Sequence, residues 1–233
     1  MTTTDDAEFR YAFEARCARV LQEIGETIEF EVHRAQMDEI IHALDVAEEV
    51  FEELAEDYDL PLSHRIQEYF FRHGAVEAAW RSRRPGTALV GDFKLRHIMS
   101  AVGNLRMTRF WKGEDDAERS LFKDLRIFDD TPRTGSGRMA LLRATPGTAD
   151  PEIWFFDMRQ GVVPMELDYP AYLETLLVTK GVIGWQYLYC QPEDCGMGFI
   201  PLVDGLQEML DVFPRLFPDH DYADLRARLE ARR

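Results

Sequence analysis

Phe9, Phe13, Cys17, Val20, Leu21, Ile24 and Ile28 recur three and four positions apart, which predicts an amphipathic helix from residue 6 to about residue 24. A second stripe, Met37, Ile40, Ile41, Leu44, Ala47, Phe51 and Leu54, predicts another helix over about 35–57. Pro61 suits the first turn of a third, because the N–H it lacks would have no helical partner there. Leu62, Ile66, Tyr69 and Phe70 continue that helix, and Gly74 ends it. Beyond Pro85 the pattern shortens. Apolar runs at 88–95, 125–128, 138–144, 153–158 and 162–167 are mostly separated by Gly-, Pro- and Asp-rich turns, as in an antiparallel meander. Both faces of IWFFDM (153–158) are apolar, so that strand should be central, with Trp154 or Phe155 or both largely buried.

Arg159-Gln160-Gly161 reads as a hairpin turn, after which Asp168 caps a helix carrying Pro170, Tyr172, Leu173, Leu176 and Leu177. Two closing helices follow, one from Pro201 to Phe213 and one from near Asp221 to the arginines at the C-terminus. The expected fold class is α+β: an antiparallel sheet over about 88–167 with helices packed on it, plus N-terminal and C-terminal helical extensions. The expected segments are an acidic helical extension (1–57), an α+β core (58–180) and a C-terminal helical extension (181–233).

Charge sharpens the picture. The net charge is −16, and the first 60 residues hold 18 acidic and 4 basic side chains against 25 and 23 in the remainder. Such a surface repels nucleic acid and anionic membranes and would steer a basic protein into contact. The polar face of the second helix carries Asp45, Glu48, Glu49, Glu52, Glu53 and Glu56. Like charges four apart, Glu49 with Glu53 and Glu52 with Glu56, destabilise a helix mildly, which suggests that the face is kept for a purpose. A merely solubilising face is the competing reading. No apolar stretch is long enough to span a bilayer, and MTTTDDAEFR resembles neither a secretory signal nor a transit peptide, so a cytoplasmic location is expected.

Candidate chemistry is sparse. Three cysteines make no disulfide framework, and Cys190 and Cys195 (C-x4-C) lack the other half of a four-ligand site, so no metal is expected of them, and whether the two pair is left open by the sequence. DDTPRTGSGRMALL joins two strands and lacks the order of a phosphate-binding loop. His33 with His42, and His64 with His73, are too far apart for metalloprotease spacing and read as solvent-facing or partly packed. Asp115–Asp116 and Asp129–Asp130 read as turn carboxylates, and no G-x-S-x-G is present. No catalytic residue and no cofactor are expected.

The helix start Leu60–Pro61 with its glycine stop Gly74 is followed by Ile127, Phe128 and Asp130 of an I-F-x-D strand and by Phe156–Asp157. Val163–Pro164 and the helix positions Tyr169, Tyr172, Leu173 and Leu176 complete the order. In these motifs the middle of the chain, about 58–180, resembles the SUKH superfamily of cell-wall-assembly-regulator-like and bacterial immunity proteins. His73 replaces an asparagine common in the family, and residues 88–125 match poorly. The resemblance implies a sheet-and-helix scaffold that presents a surface to another protein, with no shared catalytic residue. Bacterial members commonly neutralise a toxin; fungal relatives are regulatory interaction modules. The leading expectation is therefore a non-enzymatic immunity protein that contacts a basic toxin through Glu49, Glu52, Glu53 and Glu56. The alternatives are a regulatory or scaffolding module without a toxin, and an enzyme whose site one sequence does not reveal.

Overall fold

Seven strands lie in the sheet in the order in which the chain makes them, each antiparallel to its neighbours: β1 (Phe30–Met37), β2 (Ala75–Ser82), β3 (Val90–Arg96), β4 (Leu125–Asp130), β5 (Arg138–Arg143), β6 (Ile153–Asp157) and β7 (Gly161–Pro164). The computed structural model describes residues 9–113 and 115–232, with backbone only for Cys195 and Met197. Around the sheet run α1 (Ala12–Glu26), α2 (Ala47–Tyr58), α3 (His64–Gln67), α4 (Ile98–Asn104), α5 (Asp116–Asp124), α6 (Tyr169–Thr179), α7 (Pro192–Phe199, interrupted at Gly196), α8 (Val203–Leu216) and α9 (Ala223–Ala231). The fold class is α+β.

Strand alternation sorts the side chains. On one face Trp80 of β2, Phe93 and Leu95 of β3 and Phe155 of β6 join the main core, which takes buried side chains from α1, α2, α6, α8 and α9. The opposite face is divided. Over β4–β6 a second, smaller core forms, where Ile127, Leu141 and Phe156 meet Met107 and Phe122. Over β1–β3 the same face is ionic: Glu77 pairs with Arg34 and Lys94, and Arg96 with Asp130. A bulge in β4 between Ile127 and Asp129 turns Phe128 and Asp129 toward α6, where both meet Tyr172.

Several expectations hold. Strands occupy the five expected apolar runs, and helices follow Asp168, Pro201 and Asp221. The Asp168 carboxylate accepts a hydrogen bond from the Ala171 amide, capping α6. Phe155 is buried; Trp154 is half-buried on the second core.

The first third needs correction. The helix expected over about 35–57 is strand β1 followed by α2, so the 1–57 segment, expected to be a helical extension, contributes an edge strand paired with β2. The sheet consequently begins at residue 30 rather than about 88. The stripe Met37–Ile40–Ile41–Leu44 has helical spacing, yet β1 finds backbone partners in a distant segment, and that pairing outweighs local propensity. β2, AVEAAWRS, showed no strand signature because it is alanine-rich. Only His64–Gln67 of the helix expected from Pro61 is helical, although Leu62, Ile66 and Phe70 are buried as its stripe requires. α1 runs Ala12–Glu26, and Ile28 is 84% exposed beyond its end; residues 6–8 lie outside the described residues. Asp129 and Asp130 end a strand instead of forming a turn, whereas Asp115 caps α5.

Candidate partner-binding surface

α2 is fixed from one side only. Val50, Phe51 and Leu54 sink into the core, and the chain leaves the helix through Asp59, whose left-handed backbone (φ 52°) turns it back toward Leu60. Ala47 and Tyr58 pack against the edge of that core, and the acidic positions face solvent. Glu49, Glu52, Glu53 and Glu56 are all exposed, as are Glu48 and Asp57. None of the six forms an ion pair or side-chain hydrogen bond among the described residues, although most of the chain's arginines do. Glu48 and Glu49 sit in the first turn, where the helix dipole favours them; Glu56 and Asp57 oppose it in the last.

The structure adds relief to this face. Between α2 and the segment entering α3 runs an open groove of about 440 Å³, lined by Glu48, Phe51, Glu52, Ala55, Pro61, Leu62 and Gln67. Of the four residues singled out from sequence, only Glu52 borders it; Glu49, Glu53 and Glu56 lie on the helix beside it. Glu48 completes the pair at the groove, and its place four residues before Glu52 was the available signal. A strip of carboxylates alongside a shallow, partly apolar channel can accept lysine and arginine hydrogen bonds while an apolar side chain packs below.

Several buried or half-buried titratable groups are engaged in structure. Burial pushes the Glu14 carboxyl up, but the hydrogen bonds and charge of Arg72 outweigh it and hold Glu14 below its ordinary range. Asp157 accepts from Arg138 Nε at 2.7 Å and from the Tyr187 hydroxyl at 2.8 Å. Lys180, fully buried, donates to Glu23 at 2.6 Å, and His220 stands 3.6 Å from the same carboxylate. A small cleft of about 80 Å³ between α1 and α6 includes that Glu23 and the Arg16–Glu174 pair, so its charges largely neutralise one another.

Of the other histidines, His33 and His42 are exposed, His64 is exposed beside Glu68, His73 meets the Asp38 carbonyl, and His97 is buried against Phe70 and Phe71. Among the described residues no group of three or more His, Cys, Asp or Glu side chains is placed to hold a metal ion. Cys190 is buried and donates to the Gln186 carbonyl, but the Cys195 side chain, and with it the expectation for the pair, lies outside the described residues. No described helix is long and apolar enough to cross a membrane.

Comparison of the chain with protein-family models, curated proteins and solved structures finds no match in any of the three.

Proposed function

We propose that the chain is a non-enzymatic protein-binding module, an immunity protein that neutralises a basic toxin by direct contact through the outer face of α2. The observation that carries this reading is the exposed, unpaired carboxylate strip of α2 beside a groove floored by Phe51 and Leu62. Uncompensated charge on a helix costs stability and serves no internal contact here, which fits a surface kept for an oppositely charged partner. The resemblance of residues 58–180 to SUKH immunity proteins supplies the class of partner.

The test has two stages. Affinity purification from the native host, read by mass spectrometry, should recover a basic protein encoded close to this chain. Stopped-flow mixing then compares wild type with a variant carrying Gln at 49, 52, 53 and 56. The variant should associate about tenfold more slowly at low salt and show a flatter salt dependence, with dissociation changed less. Equal association rates and equal salt slopes would remove α2 from the contact, and turnover of a small substrate by the purified chain would remove the non-enzymatic reading.

A further inference from the structure

β1 is one edge of the sheet and β7 the other, and the two edges differ. β7 is four residues long and ends at Pro164, features that blunt an edge. β1 is eight residues long. Its first half is closed to further pairing. The Phe30 amide donates to the Thr27 carbonyl at 3.0 Å, and the Phe30 carbonyl accepts from Arg83 Nε at 2.9 Å. A bulge between Val32 and Arg34 follows, and from Arg34 onward the pairing with β2 is regular. The Asp38 amide donates to the Ala75 carbonyl at 2.8 Å. Strand alternation therefore turns the backbone of Arg34, Gln36 and Asp38 toward β2 and that of Ala35 and Met37 outward, where no strand follows.

Side chains of this half strand sort by face. Arg34 pairs through Nε with Glu77, while Asp38 accepts from the Gln36 side-chain amide at 3.2 Å and stands 3.7 Å from Lys94. Both charges remain open to solvent, with the Arg34 side chain 36% and the Asp38 side chain 32% exposed. Ala35 and Met37 lie on the other face, at the rim of the main core, and each is only partly buried. The ribbon thus carries a cation at one end, an anion at the other and a neutral residue midway.

We propose that β1 pairs with β1 of a second copy, antiparallel about a two-fold axis at Gln36, so that two seven-stranded sheets join edge to edge. The strand's own charges select both the occupant and the register. New ladder bonds need the outward backbone of Ala35 and Met37 on both sides, which places the axis at Ala35, Gln36 or Met37. With the axis at Ala35, Arg34 opposes Gln36; with it at Met37, Gln36 opposes Asp38. Only the axis at Gln36 sets Arg34 of each copy opposite Asp38 of the other, twice by symmetry, with Ala35 opposite Met37 on the core face. Opposite charges directly across a ladder stabilise it. Such a contact is self-limiting, because it consumes the long edge of both sheets and leaves only the blunted one, so it closes as a dimer. It involves no residue of α2.

The experiment is sedimentation velocity of the full chain at rising concentration, in enough salt to screen the repulsion between two chains of net charge −16. A reversible monomer–dimer equilibrium is expected, with the Ala35 and Met37 amides exchanging more slowly as the dimer forms. Asp38→Arg sets arginines opposite one another and should weaken the dimer by about tenfold. Cysteines read the register. Gln36→Cys brings two Cα atoms to about 4.5 Å across the axis, within disulfide reach, so mild oxidation should give a 36-to-36 link that peptide mapping identifies. His33→Cys, at an exposed position beside the bulge, should not link to its copy. A monomer at every concentration, absence of the 36-to-36 link, or a link at position 33 in its place would overturn the proposal. So would a dimer indifferent to Asp38→Arg, or one lost when Glu49, Glu52, Glu53 and Glu56 become Gln, which would put the contact on α2.

Discussion

Asp129 occupies the bulge of β4 with its carboxylate between the Lys94 amide (3.1 Å) and the Tyr172 hydroxyl (2.6 Å), and no cation among the described residues pairs with it. Burial, helped by the nearby Asp130 and Asp92 charges, outweighs the Tyr172 and Lys94 hydrogen bonds and raises its pKa to about 7. The folded protein therefore holds this proton more tightly than the unfolded chain. The associated stability is fully present below about pH 4 and is lost as pH rises to about 7. His97 acts in the opposite sense: burial lowers its pKa from 6.5 to about 4, so its contribution is present above pH 6.5 and is lost as pH falls through that interval. The two oppose each other across mildly acidic pH. Asp129→Asn keeps an acceptor for Lys94 and removes one of them. Measured by urea unfolding, the variant should gain on wild type by on the order of 4 kcal/mol between pH 4 and pH 8. A constant difference across that range would show that the Asp129 pKa is the same in the folded and unfolded chain. None of this was legible in sequence, where Asp129–Asp130 has the composition of a turn; only the bulge, a property of the pairing with β5, turns Asp129 inward.

At the scale of elements, what could be read depended on where each strand's partners lie. β5, β6 and β7 pair with near neighbours and carry large apolar residues, so the meander was visible as pattern. β1 and β2 pair across a separation of dozens of residues, and their alanines and charges give no alternation strong enough to announce them. The one local clue is Gly91 in β3. It faces Trp80 across the ladder, and a Cβ at that position would overlap the indole ring. Trp80 has little room to yield, because it is buried, stacked on Phe30 at 4.0 Å and donating to the Lys180 carbonyl at 3.0 Å. Gly91→Ala should therefore cost about 1–3 kcal/mol, with a blue- or red-shifted tryptophan emission reporting the displaced indole. Unchanged stability would mean that the ring moves aside freely. The candidate site divides in the same way: the α2 carboxylates follow from helical spacing, whereas the groove beside them depends on how residues 61–67 return to the helix.

Across the whole molecule, the expected segments 1–57, 58–180 and 181–233 share interior surface. Phe13 and Phe51 from the first, Trp80 and Tyr172 from the second, and Trp185 and Phe213 from the third belong to one core. Polar contacts cross the same lines: buried Glu14 is paired with Arg72, and buried Lys180 with Glu23. Residues 58–180 alone would leave β2 as a sheet edge and expose the core side of Trp80, from which Phe30 and Phe213 would be missing. Exposed apolar surface and unpaired buried charge act together here, since removing one partner of a buried ion pair costs about 3–5 kcal/mol by itself. The full chain should accordingly unfold in a single cooperative transition, with tryptophan fluorescence and far-ultraviolet circular dichroism coincident in urea. A fragment of residues 58–180 should show neither a cooperative transition nor dispersed amide resonances. If that fragment folds with native-like dispersion, the terminal segments are true extensions, and the α2 surface is an addition to a self-sufficient core. If it does not, α2 is part of one cooperative body, and a partner bound at its outer face stabilises the whole chain by mass action.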